Sequence, residues 1–278
     1  MILISILLAA AAATQTEGAP TASPKPVDTA WSILQDALKG KAADKRAIAV
    51  HSLGITGGNR KAEELAENAL VDSNPLVRVE AANALGQMKA ERARVKLKAA
   101  LDDKEIKVVV AAANALYEFK DPEAFEIYYA LLTGTRKSKE GLVQSQLDTL
   151  HDIKAVEKLA FEAGIGFIPY GGMGLEAWRA VMHDDAAAVQ AAAALKLAND
   201  PDPRSLKALE GAAAQNKWQV RAAAAMALAK RGDPRLSETV AALLVDENFT
   251  VRCTAAAALI RLNEGGQRQR ARDQATRK

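Results

Sequence analysis

The sequence predicts an all-α fold, a right-handed α-solenoid of about seven helical hairpins. Composition is the first observation: apolar residues make up 49% of the 278 but aromatics only 4%. The excess is alanine and leucine, which favour helix and are poor material for a sheet. The second is a recurring segment: VRVEAANALG from Val77, VVVAAANALY from Val108, VQAAAALKLA from Val189, VRAAAAMALA from Val220 and VRCTAAAALI from Val251, with a fainter KRAIAVHSLG from Lys45. The third is a set of chemical helix starts. Asn74-Pro75, Asp121-Pro122, Asp202-Pro203 and Asp233-Pro234 each place a capping side chain before a proline at the first helical position.

Taken in order, residues 1–13, MILISILLAAAAA, are uncharged and apolar and precede a polar stretch, the pattern of a secretory signal, with Ala11 and Ala13 as the small residues of a cleavage site. The run is shorter than the roughly 20 residues of a membrane span. Residues 14–26, rich in Thr, Pro, Ala and Ser, read as a flexible linker. The solenoid is expected over 27–263. The leucines closing the copies, Leu53, Leu85, Leu116, Leu197, Leu228 and Leu259, step by 32, 31, 81, 31 and 31, and a degenerate copy ending at Leu150 divides the 81 into 34 and 47.

Each copy is a second helix. The segments before them, apolar at three- and four-residue intervals, are first helices over 27–39, 59–71, 91–102, 122–133, 174–183, 203–214 and 235–245. Gly54 and Gly86, just past two second helices, are expected to be left-handed terminators. A hairpin cannot hide its apolar seam alone, so copies must stack and the two end hairpins should turn polar faces outward. Runs such as Ala222–Ala225 allow helix axes to approach toward the lower end of the usual range of about 8–10 Å. The irregular break near 164–174, GIGFIPYGGMG, follows a further helix near 153–163 and is where two blocks meet.

The hairpin length, the VRxxAAxAL motif and the preceding LxxALxD resemble HEAT repeats, in particular the HEAT-like repeats of phycobilisome lyases. The resemblance covers 27–263 and implies a ladder of an Asp ending the first helix and an Arg six residues later. Asp72 with Arg78 and Asp246 with Arg252 keep both members. Asp103 faces Val109, Asp184 faces Gln190, Gln215 precedes Arg221 and Gly40 precedes Arg46, which leaves the ladder incomplete. The family also implies a concave groove lined by second helices, through which the chain would bind another protein.

Functional signals are sparse. The loop residues Phe167 and Tyr170, with Trp178 and His183, are the candidate partner-binding residues, since loops on a rigid scaffold carry recognition; the alternative is an insertion whose aromatics tuck onto the stack. Trp31 and Trp218 read as packing residues. The pairs His151-Asp152 and His183-Asp184 fall short of a metal-ligand set. The repeated His-Glu pairs of the deoxyhypusine-type HEAT-like hydroxylases do not occur in the sequence. Cys253 holds a motif position that is small in sibling copies and reads as a packed thiol. No nucleophile elbow, P-loop or dinucleotide fingerprint is present, so neither catalytic residues nor a cofactor is expected.

Lys plus Arg number 37 and Asp plus Glu 34; residues 264–278 carry five basic and two acidic groups, so that tail accounts for the whole +3 and the body is neutral. A neutral body argues against duplex binding. The tail, polar and basic without an apolar face, reads as disordered.

The sequence thus points to a non-catalytic protein-interaction scaffold in the bacterial cell envelope, periplasmic or secreted, touching a membrane only through an uncleaved N-terminal segment. A location in the cytoplasm follows if the signal does not function. The alternatives are a bilin lyase-like subunit and nucleic-acid binding through the tail. Ala224→Leu is expected to overpack the stack and cost about 1–3 kcal/mol, read as a lowered thermal midpoint.

Overall fold

The computed structural model of the chain describes residues 25–133 and 185–276. Expectations for 1–13 and most of the linker, for the copy ending at Leu150, the helices at 153–163 and 174–183, the 164–174 break, and for His151, Asp152, Phe167, Tyr170, Trp178, His183 and Asp184 lie outside the described residues.

Every regular element among the described residues is helical, and the α-solenoid is present. In chain order, α1 (Pro26–Lys39) and α2 (Ala43–Leu53) form the first hairpin, α3 (Arg60–Ala69) and α4 (Pro75–Met88) the second, and α5 (Arg94–Ala100) and α6 (Ile106–Glu118) the third. Next come α7 (Pro122–Thr133), a first helix, and α8 (Asp185–Leu197), a second helix. Then α9 (Pro203–Ala212) pairs with α10 (Trp218–Arg231), and α11 (Ser237–Ala241) with α12 (Phe249–Thr276). Two first helices are shorter than their periodicity suggests, because 3-10 turns at Glu91–Ala93, Pro234–Leu236 and Ala242–Val245 take up their ends.

The sequence-marked starts are all capped. Asn74, Asp121, Asp202 and Asp233 accept from the backbone N–H two residues on, at 2.9, 3.1, 2.8 and 2.9 Å. Each satisfies one donor that the helix itself leaves unpaired. The glycine reading needs correction. Gly54 is right-handed (φ −55°, ψ −27°) and Gly86 lies inside α4; among the described residues the positive-φ positions are Lys89, Lys120, Gly57, Gly58 and Gly232. What demands glycine at 86 is proximity: a Cβ there would sit 3.1 Å from the Cα of Ala115 in α6. The second helices touch backbone to backbone, as the alanine content implies.

Second helices stack on second helices: α8 on α10, α10 on α12, α2 on α4, and α4 on α6. The two ends of this array meet. On the side away from α10, α12 packs against α1, α2 and the turn Gly54–Thr56. Ala30, Leu34, Ala49, Val50 and Leu53 of the first hairpin, and Ala255 to Ala258 of the last, are wholly buried. Arg261 donates to the Ile55 carbonyl at 3.1 Å, and Asn59 donates to Glu264. The end hairpins therefore do not turn polar faces outward; each covers the apolar face of the other.

This junction also corrects the expectation of a disordered tail. α12 continues through 264–276. Glu264 is held by Asn59 and pairs with Arg268 one turn on, while Gly266 approaches closely enough that a Cβ would lie 3.2 Å from Pro234. Those contacts supply the tertiary support that composition alone lacks.

The ladder is present, but it pairs different residues from those the resemblance implied. Arg46 grips Asp72 of the next hairpin through Nε and Nη2, both at 2.8 Å. Arg78 does the same to Asp103 (2.7 and 2.8 Å), and Arg221 to Asp246 (2.6 and 2.8 Å). Within its own copy, Arg78 reaches Asp72 at the backbone carbonyl and not at the carboxylate, and Arg252 does the same with Asp246. Arg46, Asp103 and Arg221, each without an ion-pair partner in its own copy, are thereby paired with a neighbour.

Each Asp also accepts the N–H two residues on, from Asn74, Glu105 and Asn248. The hydrogen bond from Arg46 is the main cause of a depressed Asp72 carboxyl, against opposing desolvation. At Asp103 and Asp246 burial pushes upward most strongly, yet the arginine and backbone donors together hold both carboxyls below the ordinary value of 3.8. A depressed carboxyl contributes stability that is complete above its unfolded pKa and is lost as pH falls through the folded one. Asp103→Asn, which leaves buried Arg78 without a counter-charge, is expected to cost about 3 kcal/mol near neutrality and less once the pH falls through the folded value of Asp103, checked by denaturant midpoints at neutral and acidic pH.

Candidate functional site

What the stack leaves exposed on its second helices is uneven. On α4, Leu76, Val79, Asn83 and Gln87 recur at three- and four-residue spacing and form one partly open stripe. On α6 the open positions include Lys107, Asn114 and Tyr117. On α10 only Met226 is partly exposed between Gln219 and Ala229, and on α12 Cys253 to Ile260 are buried all round. The accessible part of the second-helix layer thus lies on the first three hairpins and on α8, where Val189 and Gln190 are exposed.

Repeat register ties this surface together. His51, Asn83 and Asn114 occupy the same motif position, two residues before the closing leucine, where the other copies carry Leu195, Met226 and Ala257. The polar members form a row across α2, α4 and α6. Asn114 Oδ1 accepts from the Tyr128 hydroxyl at 2.6 Å, and burial pushes that phenol up to about 12, so it stays a donor.

His51 Nδ1 lies 2.8 Å from Glu80 Oε2 across the α2–α4 contact. Glu80 is 1% exposed, and its Oε1 accepts no hydrogen bond from any described residue. Sibling copies place Ala111, Ala223 and Thr254 at this position. Desolvation works against a charged His51, but the hydrogen bond and charge of Glu80 outweigh it and raise the imidazole above its ordinary 6.5. Sequence reasoning missed this pair. A glutamate among alanines at a core position was the available signal, but its partner is 29 residues away on another copy.

Aromatic residues gather at one place, with Tyr117, Phe125 and Tyr129 respectively 50%, 54% and 64% exposed. The Tyr117 ring meets Phe125 at 5.5 Å and Tyr128 at 5.9 Å, both edge-on. Tyr117 stands in the register of Gly86, the residue through which α4 touches α6, so this cluster faces along the stacking direction.

Other chemistry is limited. Cys253 is fully buried, and desolvation pushes its thiol up to about 12, which keeps it from acting as a thiolate. Among the described residues no group of His, Cys, Asp and Glu could hold a metal ion, and no helix is long and apolar enough to cross a membrane. None of the four candidate partner-binding residues, Phe167, Tyr170, Trp178 and His183, falls among the described residues.

Family comparison agrees with the repeat arithmetic. A model described as HEAT repeats matches residues 31–116, 69–145, 175–260 and 211–274. The chain belongs to the HEAT-repeat family. Comparison of this HEAT array with curated proteins found no match.

Solved structures similar to the HEAT array include human deoxyhypusine hydroxylase in complex with glycerol, at 21% identity, covering 86% of this chain and 97% of that one, TM-score 0.33. An engineered protein gives 18% identity over 86% and 97%, TM-score 0.29, and a designed armadillo repeat protein 15% over 84% and 99%, TM-score 0.26. No residue role transfers at that level of superposition.

The His51–Glu80 contact has a definite pH signature. Because the histidine pKa is raised on folding, its contribution is complete below 6.5 and is lost as pH rises through the folded value. The thermal midpoint of the wild type should decline as pH rises above 6.5, and Glu80→Ala, which restores the residue type of Ala111 and Ala223, should flatten that decline. A parallel decline in the variant would mean the pair is not its source.

Proposed function

We propose that this HEAT-repeat chain is a non-catalytic scaffold that binds another protein along the groove floored by α2, α4 and α6. The supporting observation is the row His51, Asn83 and Asn114, set beside Leu76 and Val79: hydrogen-bonding groups beside an apolar strip on a rigid, partly open face. Interfaces of moderate polarity are built in this way, with an apolar centre and polar groups that fix orientation. The second helices α10 and, over Cys253–Ile260, α12 offer almost no open surface, so partner contact concentrates on the polar row rather than along the whole array. An extended segment lying across three helices could bury the roughly 600–1,000 Å² per partner of a specific complex. The apolar run at 1–13 supports placing this scaffold in the cell envelope.

A photo-reactive side chain tests this directly. Placed at Asn83 or Asn114 it should crosslink a defined partner in the native host, and placed at exposed Glu64 on the first-helix layer it should not. Asn83→Arg with Asn114→Arg should reduce capture at least about tenfold while leaving the thermal midpoint within a few degrees, since partly exposed surface positions tolerate substitution. Equal crosslinking from all three positions would overturn the assignment.

A further inference from the structure

The start of the first helix and the end of the last emerge at one edge of the molecule. The short connection 40–42 folds α2 back along α1, so Lys25 lies at the same end of that hairpin as Leu53 and the turn after it. α12 runs toward this edge. It begins at the opposite one, where the Lys45 ammonium stands 5.6 Å from the centre of the Phe249 ring, and reaches the turn at Arg261, which donates to the Ile55 carbonyl at 3.1 Å. Asn59 then donates to Glu264, and a Cβ on Gly266 would lie 3.2 Å from Pro234 of another turn. Two turns thus clasp α12 over 261–266.

Past that clasp the helix does not stop. α4 ends three residues beyond its closing Leu85 and α10 three beyond Leu228, whereas α12 runs seventeen beyond Leu259. Residues 267–276 form an arm about 15 Å long at the α-helical rise. Gln267, Arg268, Arg270 and Gln274 on it are exposed. Its sequence, QRQRARDQAT, holds three arginines against one aspartate and no large apolar residue, and Arg277 and Lys278 follow.

The ground beside the arm adds to this charge. Lys230 is exposed at the end of α10, and exposed Lys61 lies 4.3 Å from the centre of the Trp31 ring of α1. Acidic groups at this edge are largely engaged: Glu264 by Asn59 and Arg268, Asp233 by Arg235 at 2.6 Å, and Glu64 by Arg60 at 2.7 Å. Asp28, exposed in the first turn of α1, offsets one of the remaining positive charges.

We propose that this edge rests on a membrane containing anionic lipid, with the arm lying against the phosphate headgroups. The apolar residues 1–13 join α1 at this same edge through residues 14–24, a chain that spans at most about 40 Å. An apolar segment and a basic arm therefore act at one place, and a weak apolar anchor becomes a stable attachment when a polybasic patch is added to it. Lacking an apolar face, the arm stays at the level of the headgroups, and its contribution is electrostatic. Attachment here is independent of what occupies the groove of α2, α4 and α6.

The test is co-flotation of the full-length chain with vesicles of phosphatidylcholine, with and without one third phosphatidylglycerol. The anionic vesicles are expected to bind at least about tenfold more tightly, and the preference should collapse at about 0.5 M salt. Arg268→Gln with Arg270→Gln should cut the preference at least about tenfold, since each basic residue near an anionic surface contributes about fivefold. Lys39→Gln with Lys41→Gln, at the opposite edge, should leave it unchanged. Deleting 1–13 should weaken binding to both compositions and keep the preference. If the double arginine variant loses thermal stability, truncation after Gly266 replaces it, with the same loss expected. Equal binding to the two vesicle types, or a preference that survives in the arginine variant and the truncation, overturns the proposal. So does displacement of most of the chain from anionic vesicles by a short DNA duplex or poly-glutamate at equal charge, which would identify a different polyanion.

Discussion

The constraint on which this architecture rests is the arginine fork that reaches from one hairpin to the aspartate of the next. It is bidentate, so it fixes distance and rotation together, and the same aspartate caps the turn below it. Arg46–Asp72, Arg78–Asp103 and Arg221–Asp246 therefore set how far each hairpin is displaced from its neighbour. Alanine packing alone is non-directional and would tolerate sliding. The rungs supply the direction, and the alanines convert it into close contact.

Because each rung joins two copies, an incomplete copy is not a defect. Arg46 has no acid in its own loop and Asp103 no arginine, yet both are paired, since what matters is the sequence of the neighbour. Where neither neighbour supplies the group, as between Gln190 and Gln215, other ties appear: Arg231 donates to the carbonyls of Leu197 and Asp200 at 3.1 and 2.7 Å. At the chain-end junction, contacts of Arg261 and Asn59 take over that role. The solenoid thus joins its first and last hairpins by means different from those that join its middle ones.

This arrangement shapes what the protein can offer a partner. An array closed on its own ends does not need solvent-adapted terminal faces, and the helix that makes the junction, α12, is buried where α4 is open. Exposed second-helix positions remain on α8 and on α2, α4 and α6. On the last three the repeat position filled by leucine, methionine or alanine elsewhere is filled by His51, Asn83 and Asn114. Polar groups are tolerated at that position on α2, α4 and α6 because the packed seam leaves it partly exposed there, whereas Ala257 on α12 is buried.

Composition, the 31-residue step, the proline-marked caps and the alanine seam were legible in the sequence, because helix initiation, periodicity and small-residue packing act within one repeat. The polar row was legible too, once the copies are aligned. Three features were decided only by tertiary structure: which arginine grips which aspartate, the meeting of α12 with α1, and the helical course of 264–276. Each depends on groups tens to hundreds of residues apart, brought together by the displacement between hairpins, a quantity that no local pattern encodes. Gly86 illustrates the division: its identity marked a special position, but only the 3.1 Å approach to Ala115 showed that the demand was for space and not for a left-handed turn.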